Sequence, residues 1–333
     1  MILKLHPEAA YPQLADLHEY LVSGDWPACR GIVDAATPAG RTLLLKYAGE
    51  RRAIDLPLTR AIQADAGDST ARTLYAFRRI NAGWRIRTDR SARTVTKGKF
   101  RRFHAELMRA DETLDGAHPD DPAAWTARIT IARGLELGLA EAHRRYTEAA
   151  RIDPHHLPAQ SQFLQQLCPK WGGDWDTAFG FARDAAAAAP DGAPNAVLVA
   201  EAHFDRWLSL GNPHKYFRGP EVRDEILAAA HRSVLHPDFR RDVGWVQVLN
   251  TFAMAFDQMH ERELSATMFA ALGPYVSELP WAYLLHGSPF AGFRSARAKA
   301  TGWTAPAAAD AFLSLIGRTN KNGMFGVLGK SLR

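Results

Sequence analysis

The sequence predicts an all-α protein, a right-handed α-solenoid of stacked antiparallel helix hairpins, and three observations carry that expectation. Alanine supplies 57 of the 333 residues, against 25 glycines and two cysteines. That composition suits helices and excludes disulfide scaffolds, collagen-like chains and most β-sandwiches. No segment alternates apolar and polar residues with the β-branched enrichment of a strand, so mixed α/β folds and their dinucleotide sites lose their basis. Third, a small-residue ladder repeats. Ala142, Tyr146, Ala149 and Pro154 recur 36 positions later as Ala178, Ala182, Ala185 and Pro190, with the same separations. Spacings of four and three keep these side chains on one helical face, small residues let a second helix approach closely, and the proline ends the helix.

Taken in order, helices are expected over 8–22, 27–36, 39–50, 57–66, 69–85 and 98–115. They continue over 122–136, 139–151, 158–168, 175–188 and 194–209, then 220–235, 242–257, 260–272, 278–285, 289–300 and 305–316. Gly24-Asp25-Trp26 opens the second of them and recurs as Gly173-Asp174-Trp175 ahead of 175–188; in each, the aspartate caps the helix and the tryptophan packs into the joint. Asp121-Pro122 and Ser288-Pro289 pair an N-cap with a proline at the first helical position, and so start 122–136 and 289–300. Weaker copies of the ladder, Ala28, Ile32, Ala35 and Ser265, Phe269, Leu272, mark 27–36 and 260–272. The remaining boundaries fall at short punctuated joints. This gives an N-terminal helical region with a basic connector over 1–97, a helical-repeat domain over 98–316 and a flexible basic tail over 317–333.

On these spacings, segment 123–190 resembles tetratricopeptide repeats, whose period is about 34 residues. The first helix departs from that pattern: Trp125 falls one position early and the Leu-Gly pair is missing. More loosely, the chain resembles uncharacterised helical proteins common in high-GC bacteria, through Ala123-Ala124-Trp125, Leu167-Cys168-Pro169-Lys170-Trp171-Gly172-Gly173 and Leu279-Pro280-Trp281-Ala282-Tyr283-Leu284. The resemblance implies a fold and brings no activity, cofactor or catalytic residue with it.

Charge is unevenly laid out. Residues 78–102 hold ten Lys/Arg against the single acid Asp89, and the tail adds four more cations without an acid, so the rest of the +5 chain is net acidic. A basic strip interleaved with Trp84 and Phe100 suits phosphates and stacked bases, yet no nucleic-acid-binding motif accompanies it, and a solvated connector is the favoured expectation. No run of eighteen apolar residues occurs, so a soluble, cytoplasmic protein with reduced cysteines is expected and no membrane partner.

In a helical array the first helices of successive hairpins line a concave wall, here 122–136, 158–168, 194–209 and 242–257. Their polar and aromatic residues Arg128, Gln162, Gln165, Glu201, His203, Trp207, Trp245, Asn250 and Asp257 are the candidate partner-binding set. Amides and charges there can hold an extended peptide, and tryptophans can anchor it. The expected function is therefore that of a non-catalytic scaffold or adaptor that grips a partner's peptide or helix, without cofactor or metal. The alternative is an enzyme or small-molecule binder whose helices close a pocket around His203, Trp207, Arg128 and Asn250. Within one helix Glu201 and Asp205 do not share a face with His203, so an acid/base site would need a group from elsewhere. Histidine pairs lack metal-ligand spacing, and there is no phosphate-cradling loop, nucleophile elbow or Cys-x-x-Cys. Cys168 is expected as a small buried hydrophobe, His155 and His156 as exposed joint residues.

Overall fold

The computed structural model describes residues 2–5, 7–87, 95–284 and 288–302. The expected helix 305–316, the tail and the middle of the basic strip lie outside the described residues. Fifteen α-helices are present among them. They are α1 (Gln13–Ser23), α2 (Trp26–Asp34), α3 (Pro38–Ala48), α4 (Asp55–Ala64), α5 (Ser69–Arg87), α6 (Lys97–Leu114), α7 (Pro122–Gly134) and α8 (Leu139–Ile152). The rest are α9 (Leu157–Leu167), α10 (Trp175–Ala188), α11 (Val197–Ser209), α12 (Pro220–Arg232), α13 (Trp245–Met259), α14 (Arg262–Leu272) and α15 (Pro289–Thr301). The caps read from sequence are made. Asp25 accepts from the Ala28 amide, Asp121 from Ala123, Asp174 from Thr177 and Ser288 from Ala291, each satisfying a donor that the helix itself leaves open.

Two expected elements differ, and one element is unexpected. The first helix begins at Gln13 rather than residue 8, because Pro12 fits only at a helix start. Segment 278–285 is not an α-helix: Pro280 disfavours a helical Leu279 and removes a donor, and only a 3-10 turn forms at Trp281–Tyr283. Ahead of it lies a strand that periodicity could not reveal. β1 (Lys4–Leu5) pairs in parallel with β2 (Tyr275–Val276), Lys4 opposite Tyr275 and Leu5 opposite Val276; two residues are too few to show alternation.

The chain divides into two compact units. The N-terminal unit is Tyr11–Ala189 with Asp242–Gly244; the C-terminal unit is made of the described residues of Met1–Ala10, Pro190–Arg241 and Trp245–Arg333.

In the N-terminal unit α5 and α6 run antiparallel, joined side to side by Arg72 to the Thr113 carbonyl, Arg79 to Glu106 and Trp84 against Phe103. Helices α7 and α8 form the next pair, with Arg151 at the end of α8 meeting Asp120 ahead of α7. The two ladder helices, α8 and α10, both pack on α9. Tyr146 stacks on Phe163 with centroids 4.5 Å apart, and Phe181 meets both rings edge-on at 5.2 Å. Ala142, Ala149, Ala178 and Ala182 are fully buried, as close helix approach requires. Because Ala182 has no exposed surface, Ala182→Leu is expected to cost about 1–3 kcal/mol by overpacking. The exposed Ala188 serves as control: Ala188→Leu stays within about 0.5 kcal/mol in the same denaturant titration.

Helix α3 is placed in a way the sequence did not announce. It packs on α5, α7 and α9, the first helices of three successive pairs. Arg41 reaches Asp121 at 2.7 Å and Thr70 at 2.9 Å, Thr42 lies 3.0 Å from His156 Nε2, and Leu44, Leu45 and Ala48 are buried beneath.

In the C-terminal unit α11 pairs with α12 and α13 with α14, α13 also packs on α11, and α15 closes on α13 and α14. Trp281 is fully buried there between Phe269 and Phe293.

Candidate functional site

The helices chosen as a binding wall are instead among the most buried in the chain. Nearly every residue of α13, and most of α7 and α11, is inaccessible. Within each unit most of the candidate residues are tied into internal contacts. In the N-terminal unit Arg128 pairs with Asp111 at 3.0 Å and Asp115 at 2.8 Å. Gln162 accepts from Thr130 and from Arg133, whose other arm reaches the Gln162 carbonyl. Gln165 is half-buried one turn on. Trp171, in the Lys170-Trp171-Gly172-Gly173 turn, sits edge-on to Trp84 with the guanidiniums of Arg133 and Arg87 over it.

The Arg128 network continues into a buried ion cluster. Arg145, 5% exposed, holds both oxygens of Asp111, the Arg128 carbonyl and Glu141. Hydrogen bonds from Arg144 and then Arg145, with their charge, hold the Glu141 carboxyl down at about 2, against 4.5 for the free group. A depressed folded value means that this stabilisation is complete above about pH 4.5 and lost as the pH falls toward 2. Glu141→Gln should therefore flatten the decline of Tm across that window, which a pH series of thermal melts reads directly.

In the C-terminal unit His203 is buried at 4% exposure. Its Nδ1 is 2.9 Å from the Tyr216 hydroxyl and its Nε2 3.2 Å from Glu225 on α12. Burial pushes the Tyr216 phenol up to about 12, and the Glu225 carboxylate can only accept, so His203 Nε2–H donates to it. Glu201 is half-buried and Asp205 buried; with Glu278 their charges join burial in raising the Tyr283 phenol. Trp207 is core, packed on Phe204 and Phe217. Asn250, with no exposed surface, accepts from Trp281 Nε1 at 2.6 Å and donates to the Val246 carbonyl. Asp257, 9% exposed, lies 3.4 Å from Lys299. His203, Trp207 and Asn250 thus face different neighbours.

Trp245 differs from the other candidate tryptophan. It stands half-buried at the start of α13, with the exposed Arg241 guanidinium 4.8 Å from its ring centroid and Tyr275 edge-on at 5.9 Å. Gln247, two residues along, holds the Leu279 carbonyl, and Leu279 itself is 43% exposed. The β1–β2 ladder brings in Leu5, 44% exposed. An aromatic and arginine centre with exposed aliphatic neighbours has the composition of a protein-contact hot spot.

Sequence reasoning missed His156. It is 1% exposed, not an open joint residue, and joins Thr42 to Asp153, whose carboxyl it lowers; its partner Thr42 is 114 residues away, and no local signal reports such a contact. Cys168 is buried, as expected, and so is Cys29, whose thiol burial pushes up to about 12. Among the described residues no group of three His, Cys, Asp or Glu could hold a metal ion, and no helix is long and apolar enough to cross a membrane. No protein-family model matches the chain, and no curated protein matches it.

Proposed function

We propose that the protein is a non-catalytic interaction protein, a degenerate tetratricopeptide-like array of stacked helix hairpins, acting in the cytoplasm, that holds a partner's peptide or helix. The observation that carries this reading is the Trp245 surface, where the half-buried Trp245 and Tyr275 meet edge-on beside the exposed Arg241, with the exposed Leu279 and Leu5 in the adjoining segments. Large amphipathic side chains supply contact area there at low entropic cost. The seating of α3 across α5, α7 and α9 supports the same reading from another side: the first helices of such pairs accept a helix on their common face, and in this unit the chain's own α3 takes that place. The enzyme reading has less support, since Trp207 and Asn250 are spent on packing and internal hydrogen bonds.

The test is capture on tagged full-length protein, wild type beside Trp245→Ala. Trp245 is the first residue of its helix and is not among its buried ones, so its truncation leaves the fold intact and circular dichroism and Tm stay near wild type. The reading expects one protein recovered in stoichiometric amount by the wild type and lost with Trp245→Ala. Equal recovery by both, or no specific protein with either, overturns it.

A further inference from the structure

The loop between α3 and α4 lies against α5, and it gathers arginines. A Cβ on Gly49 would stand 2.9 Å from the Arg78 amide, which shows how closely the loop backbone approaches. Arg85 lies seven residues after Arg78, on the same helical face, and donates from Nη1 to the Glu50 carbonyl at 3.1 Å. Arg78 Nη2 holds Asp55 at 2.8 Å, and Arg79 Nη2 stands 3.7 Å from the other Asp55 oxygen. Arg79 also binds Glu106 at 3.2 Å, and Arg109 shares that carboxylate. With Arg52 on the loop, four guanidiniums face Asp55 and Glu50, and Glu106 is already divided between Arg79 and Arg109.

Two observations show that this cluster lacks negative charge. Arg78 Nε and Nη1 and Arg79 Nε are buried with no hydrogen-bond partner, an exception to the rule that buried polar groups are paired. The Arg85 guanidinium is held below its usual range by burial first, then by the positive charges of Arg78 and Arg52. Asp55 takes Nη2, so Arg78 keeps an Nε–H and an Nη1–H, on diverging sides of its guanidinium, as charged donors for the oxygens of an anion.

We propose that Arg52, Arg78 and Arg85 form a binding site for a phosphate monoester or inorganic phosphate, with an unpaired Arg78 N–H as the inner donor and the side chains of Arg52 and Arg85 at its outer side. The inner donor is covered by protein, which favours a small dianion, able to enter when the two outer side chains swing aside, over the singly charged diesters of a nucleic-acid strand. The site lies in the N-terminal unit and is independent of the Trp245 surface.

Isothermal titration of the full-length protein in phosphate-free buffer tests it, with inorganic phosphate, glycerol 3-phosphate and a single-stranded oligonucleotide as probes. Saturable one-to-one binding of phosphate or of the monoester is expected, and the tighter of the two identifies the source. Arg52→Gln and Arg85→Gln, both at exposed positions, should each weaken it tenfold or more with Tm unchanged; Arg78→Lys, which keeps the charge and removes the unpaired guanidinium donors, should weaken it as much, whatever the loss of the Asp55 contact does to its Tm. Lys97→Gln, at the exposed start of α6, should leave it unaltered. Absence of saturable binding of both small probes overturns the proposal. So does oligonucleotide binding tighter than either and weakened equally by Lys97→Gln and Arg85→Gln, which would mark a diffuse polyanion surface.

Discussion

Asp121→Ala is expected to lower the stability of the N-terminal unit by about 3–5 kcal/mol, the cost of removing one member of a buried ion pair. Asp121 is 6% exposed and accepts from Arg41 at 2.7 Å, Ser69 at 2.8 Å, Thr73 at 3.3 Å and its own cap amide at Ala123 at 3.0 Å. Without it, Arg41 is left in a largely buried position with Thr70 as its remaining side-chain hydrogen-bond partner, and α7 loses a cap that contributes about 1 kcal/mol. Asp121→Asn keeps an acceptor for the cap and removes the charge, so its loss is smaller. Denaturant titration of the two variants reads the difference; a loss under about 1 kcal/mol for Asp121→Ala would show that the Arg41 contact does not form.

Trp281→Ala should be as severe in the C-terminal unit. The indole has no exposed surface and lies 5.8 Å from the Phe269 ring and 5.5 Å from Phe293. Emptying that volume costs about 3–5 kcal/mol. The Asn250 side-chain oxygen then loses the Trp281 Nε1 donor in a site without solvent, adding about 1–3 kcal/mol. Trp281→Phe restores most of the packing and none of the hydrogen bond, so it falls between. Trp245→Ala, on the surface, should stay within about 1 kcal/mol. Similar midpoints for Trp281→Ala and Trp245→Ala would contradict the assignment of one indole to the core and the other to the surface.

What the sequence disclosed was local. Asp25, Asp121, Asp174 and Ser288 cap helices through amides two or three residues away, and the ladder alanines report one face of one helix; such signals survive in a linear string. The second role of Asp121 does not, because Arg41 is 80 residues off. The same holds for Thr42 with His156, and for Asn250 with Trp281. These distant pairings turned predicted ligand-binders into internal ties: Asn250 was selected for its polar side chain, and it is polar because a buried indole needs an acceptor. Of the candidate set, Trp245 remains at a surface because it starts its helix, whereas Trp207 lies within a helix covered along most of its length. The arginines of α5 were visible as a basic strip, but the loop that faces them belongs to a segment some thirty residues earlier.

The arrangement of the N-terminal unit rests on α3 lying across α5, α7 and α9, and amide hydrogen exchange tests that most directly. The amides of Thr42–Ala48 should exchange as slowly as those of Ile129–Arg133 in α7 and open with them as one cooperative unit, and Asp121→Ala should release α3 first. Exchange in Thr42–Ala48 that is orders of magnitude faster, while α7 and α9 remain protected, would mean that α3 does not close that face. The hairpins would then offer an open surface where the structure shows a filled one.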